Sequence, residues 1–127
     1  MHRLLLPLAL LLASPGSAQE WRMAPEYDVL LTAYDIQPGE IRLKAGEPVR
    51  LRFVNTTNRG LTFSAGGFFR DSKLRRRDSA LVKGGSLQVP ALSTRTIVLV
   101  PKAGRYKATG ANLLHRMLGM SGRIIVE

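Results

Sequence analysis

Two short stretches restrict this chain more than any other feature. In residues 40–44, Ile41 and Leu43 alternate with Arg42 and Lys44. In residues 49–54, Val49, Leu51 and Phe53 alternate with Arg50 and Arg52. Apolar residues on every second position put one face of a strand in a core and the other in solvent. A helix cannot satisfy this period, so the pattern predicts an antiparallel sheet with one wet face. Turn residues punctuate it: Pro38-Gly39 before the first stretch and Gly46 between the two.

The rest of the chain fits the same architecture. Residues 27–34 (YDVLLTAY) are rich in β-formers, 61–64 make a short strand, and 87–89 and 93–100 make two more. Residues 106–109 and 122–126 supply the last strands, with a loop over 110–119. A polar loop spans 55–60. Residues 66–78 carry Phe68, Phe69 and Leu74 among basic residues without alternation, and read as a loop with a short helix. Seven or eight short strands at regular spacing predict an all-β Greek-key antiparallel β-sandwich. The inward positions are expected to include Leu43, Leu51, Phe53, Phe63, Val98, Val100, Tyr106, Ile124 and Val126.

The first eighteen residues, MHRLLLPLALLLASPGSA, differ in kind. A basic start (His2, Arg3), an apolar run and the small residues Gly16-Ser17-Ala18 form the pattern of a secretory signal peptide cut before Gln19. The apolar run is about half the ~20 residues a spanning helix needs. Residues 19–127 then form one domain, and no later segment is long and apolar enough to span a membrane. The expected destination is a bacterial periplasm.

Composition removes whole classes of chemistry. There is no cysteine, so disulfides, thiolate metal sites, cysteine nucleophiles and a lipidated N-terminal cysteine are excluded. Of two histidines, His2 leaves with the leader and only His115 stays. A Ser–His pair could use only His115, and no acid/base carboxylate pair stands out, so the chain is not expected to be an enzyme. Lys and Arg number 19 against 9 Asp and Glu, a formal charge of +10. Five of the cations fall within residues 70–77: Arg70, Lys73, Arg75, Arg76 and Arg77. This run reads either as a solvated loop or as a docking patch for an acidic protein partner or anionic headgroups. Nucleic acid is not expected, because the domain is exported and the run has no interleaved aromatics. Asn55-Thr56-Thr57 matches a glycosylation sequon, of little weight behind a bacterial leader.

From residue 28 onward the chain resembles the cupredoxin (blue-copper) family. Residues 34–38 (YDIQP) with 41–49 (IRLKAGEPV) are similar to the family's first strands, 51–55 (LRFVN) to its third, and 98–106 (VLVPKAGRY) to its penultimate ones. Residues 115–126 (HRMLGMSGRIIV) resemble the ligand loop running into the last strand, and Gly67-Phe68-Phe69 resembles a subgroup with a Phe-Phe pair. The resemblance implies a site of two imidazoles, a thiolate and an axial thioether. By position it implies His115 as the loop ligand and Met120 as the axial one. The thiolate position falls on Gly110 and the other imidazole position on Leu61, so both of those ligands are lost. The implied protein is a cupredoxin scaffold without a type 1 copper centre, acting as a binding or accessory module. The alternative is Cu(I) handling through His115 and Met120, with Met117 as a weaker third donor, since imidazole and thioether suit soft Cu(I).

Overall fold

The computed structural model describes residues 18–112 and 120–127. The expected leader, apart from its last residue, lies outside the described residues. These begin with a six-residue helix α1 (Ala18–Met23), tied down by a hydrogen bond from the Arg50 guanidinium to the Trp21 carbonyl (3.0 Å).

Eleven strands follow among the described residues: β1 (Glu26–Leu31), β2 (Ile36–Gln37), β3 (Glu40–Leu43), β4 (Val49–Asn55), β5 (Leu61–Ser64), β6 (Lys73–Leu74), β7 (Val82–Lys83), β8 (Ser86–Val89), β9 (Thr94–Val100), β10 (Gly104–Asn112) and β11 (Met120–Val126). Helix α2 (Gly66–Asp71) and a 3₁₀ helix (Arg76–Leu81) flank β6. One sheet has the order β2-β1-β4-β9-β6 and the other β3-β11-β10-β5-β8-β7. The β-sandwich is as the alternation predicts. Most neighbours are antiparallel, but β1 pairs with β4 and β3 with β11 in parallel.

The inner faces meet in one core. Leu43, Leu51, Phe53, Phe63, Ile124 and Val126 are buried in it as expected, and Tyr106 packs against it. Strand β9 corrects the expectation. Its register sets Ile97 opposite Leu51 and Leu99 opposite Val49, so these two face inward, while Val98 and Val100 lie on the other face. Val98 is nevertheless buried, where the chain of Arg75–Asp78 runs alongside it. A second correction concerns β10, which continues to Asn112, so Gly110 lies in a paired strand and not in a loop.

The short edge strands explain the excess over eight. Strands β7 and β8 form a hairpin across Gly84-Gly85, whose φ values of +60° and +77° suit the two-residue turns that match strand twist. At Gly85 a Cβ would also lie 2.6 Å from the Gly66 Cα, so this turn presses directly on the start of α2.

At the far end of the core, the Tyr106 ring sits edge-on to Phe68 (5.6 Å) and its hydroxyl donates to the Lys102 carbonyl (2.9 Å). Burial, then the charge of Asp71 and its hydrogen bond, push the phenol's pKa up, with Arg70 opposing. The folded state therefore holds this proton more tightly than the unfolded chain does. That stabilisation is complete below the ordinary tyrosine value of about 10 and is lost as pH climbs through the raised one. Tyr106→Phe is expected to remove a tyrosinate absorbance component titrating above about pH 10. Persistence of that component in the variant would show that it belongs to another tyrosine.

Candidate functional site

The site implied by sequence lies at one end of the sandwich. Strand β5 begins there at Leu61, β10 ends there and β11 starts there. Gly110 is opposite Met120 on one side and Phe63 on the other, and Leu61 is opposite Asn112. Leu61 and Gly110 are therefore diagonal neighbours on the inward face of adjacent strands. Segment 113–119 joins β10 to β11 at this end. His115 and Met117 lie outside the described residues, and of Met120 only the strand position is described.

The floor of this end is hydrocarbon. Leu61 is 4% exposed and belongs to the core, with Phe63 two residues on and fully buried. The Phe63 ring stands 4.7 Å from Phe53 and 6.1 Å from Phe69, which touches Phe68 at 5.4 Å. An aromatic column thus runs from this end through the Phe-Phe pair of α2 to Tyr106. Beside it, Asn55 ends β4 with a buried side chain. Its amide donates to the carbonyls of Arg59, Val89 and Pro90 (2.7–3.1 Å), and its oxygen accepts from the Thr57 backbone and hydroxyl (2.9 and 2.8 Å). Buried polar groups need such partners. Asn55 is the clamp of the 55–60 loop, and its buried amide is closed to glycosylation in the folded protein.

These residues do not fit a type 1 copper centre. Leucine has no donor atom, glycine has no side chain, and a thiolate is absent from the sequence. Among the described residues, no three His, Cys, Asp or Glu side chains group in a way that could hold a metal ion.

The basic run is not one free patch. Arg70, Lys73, Arg76 and Arg77 are exposed. Arg75 is turned inward, its side chain 15% exposed, with its Nε 2.9 Å from Asp78 Oδ2 and Nη2 3.2 Å from Oδ1. The same carboxylate accepts the Val98 N–H (2.8 Å). The Arg75 N–H donates to the Val98 carbonyl, so Asp78 continues the β6–β9 ladder by one rung with a side chain. This role was hidden in sequence. Its only signal is one acid, Asp78, closing a run of three arginines. A cleft of about 220 Å³ near α2, lined by Phe69, Leu74 and Val82 with Arg70 and Ser79, is smaller than usual ligand pockets of ~300–1,000 Å³.

Among solved structures, the chain is similar to auracyanin B, with 20% identity and a TM-score of 0.55, over 82% of this chain and 89% of that one. It is also similar to a multi-copper oxidase from Pediococcus acidilactici, with 14% identity and a TM-score of 0.55. That match covers 80% of this chain but only 25% of the oxidase. The fold is that of a cupredoxin. Amicyanin from Paracoccus versutus also aligns, at 18% identity and a TM-score of 0.49, over 80% and 81% of the two chains. No family model and no curated protein matches the sequence. At these identities the likeness speaks to the cupredoxin fold alone. Within it, Leu61 and Gly110 are buried positions without donor atoms at the end where β5, β10 and β11 meet.

Proposed function

We propose that this protein is an exported, non-enzymatic cupredoxin-fold module that works by binding a partner and not through a type 1 copper centre. The observation that supports it is the pair Leu61 and Gly110. Both are buried in the sheet at the end where β10 finishes and β11 starts, and neither offers a ligand atom. Export rests on the leader pattern of residues 1–18. Among the described residues, no helix is long and apolar enough to cross a membrane.

One preparation tests this reading. Protein recovered from the periplasm should have a mass starting at Gln19, and Cu(II) should raise no intense thiolate-to-copper band. That band appearing in cysteine-free protein would defeat the reading. Gly110→Cys and Leu61→His together are required before such a band can form, and either change alone is expected to fail.

A second reading is Cu(I) handling through His115 and Met120; of these, Met120 starts β11 directly across from Gly110. Titration of Cu(I) against a competing chelator separates the two. Wild type binding no better than His115→Ala/Met120→Leu leaves the partner-binding module.

A further inference from the structure

The two charged rows on the outer face of the larger sheet are unevenly balanced. In one row Glu40, Arg123 and Lys107 lie side by side on β3, β11 and β10. In the next, Arg42, Ile125 and Arg105 do. Across these two rows four exposed cations meet two carboxylates, Glu40 within the rows and Glu127 just past the end of β11. Arg42 bonds to Glu40 (2.7 Å) and Glu127 (3.4 Å), while Arg123 reaches Glu40 only at 3.8 Å. Among the described residues, Arg105 and Lys107 have no acidic partner. Lys107 and Arg123 are direct cross-strand neighbours, an arrangement of like charges that destabilises a sheet. Folding gains nothing from this placement, whereas an anionic partner would.

The shape of the face narrows the partner. The cations stand on three adjacent strands about 4.8 Å apart, spread over a pleated surface and not converging on one point. The next row holds Ser121 and Thr109, exposed hydroxyls able to donate to phosphate oxygens, and then Ser64 and Ser86, which bond to each other (2.7 Å). Protein partners are usually gripped through apolar or aromatic anchors at the centre of the patch. Among the described residues, the exposed large hydrophobics are Met23, Tyr34 and Leu92, and none of these lies on this face. Ile125 does, but it is 4% exposed between Arg42 and Arg105. A cationic array with no exposed apolar anchor among the described residues suits a surface recognised by its field. We infer that the outer face of β3, β11 and β10 docks on an anionic phospholipid bilayer, with Arg105, Lys107 and Arg123 as the contacting cations.

This inference stands apart from the copper question, and vesicle binding tests it. The purified protein should bind vesicles of equal parts phosphatidylcholine and phosphatidylglycerol at low salt. It should bind pure phosphatidylcholine far less, and roughly 1 M salt, with a Debye length of about 3 Å, should release it. Arg105→Gln/Lys107→Gln breaks no ion pair among the described residues. At about fivefold per cation, it should weaken vesicle binding roughly twenty-five-fold with an unchanged circular dichroism spectrum. Arg76→Gln/Arg77→Gln removes the same charge elsewhere and should weaken binding clearly less. The inference is overturned if anionic vesicles are ignored, if the first variant binds like wild type, or if both variants lose equally. Face-dependent capture of soluble polyglutamate in preference to vesicles would overturn it in favour of an acidic polypeptide.

Discussion

Phe53→Ala is expected to lower unfolding free energy by about 3–5 kcal/mol, read from a urea transition. Phe53 is fully buried in the middle of β4, and its ring leans on Phe63 at 4.7 Å. The cavity would open between the sheets, where no loop can collapse into it. There is no cysteine to cross-link the chain, so burial must carry the stability that a disulfide gives many exported domains. Phe53→Leu keeps most of the volume and should cost less than about 1.5 kcal/mol. A loss below about 1 kcal/mol for the alanine variant would mean that the two sheets do not meet at this ring.

Asp78→Ala should be comparably damaging, at about 3–5 kcal/mol, because it leaves a buried charge without its partner. The side chain of Asp78 is 6% exposed and that of Arg75 15%. Removing the carboxylate also strips the acceptor from the Val98 N–H in the interior. Arg75→Met/Asp78→Leu should recover part of the loss by removing the stranded charge, though the Val98 N–H would stay unpaired. If Asp78→Ala unfolds at the wild-type urea concentration, the carboxylate is not holding the edge of β9.

What could be read from the chain depended on contrast between neighbours. Strands β3 and β4 announced their inward faces because arginine and lysine alternate with apolar residues. Strand β9 offers Ile97-Val98-Leu99-Val100, all apolar, and its parity comes only from the register with β4. The β7–β8 hairpin was legible in principle, since Gly84-Gly85 between β-branched and polar residues is a turn signal. Two-residue β6 carries no pattern of its own. Its place is set by Asp78, which looks in sequence like part of a solvated charge run. At the candidate site, only the resemblance to cupredoxins implied Leu61 and Gly110 as replaced ligand positions, and the structure buries both in paired strands. The cationic rows are not legible in sequence because their residues come from three distant segments joined only by β3–β11 and β11–β10 pairing.

The parallel pairing of β3 with β11 has a consequence in time. Ile41 waits for Ile124, and Leu43 for Val126, the next-to-last residue of the chain. Pairings so remote in sequence make folding slow, in the millisecond-to-second range typical of sandwiches. Until the C-terminal strand docks, β3 has no neighbour in its own sheet, and its backbone donors and acceptors stand open as a template for other chains. The charged outward residues of β3, Glu40 and Arg42, then act as guards against aggregation during that interval, before they take their places on the finished face.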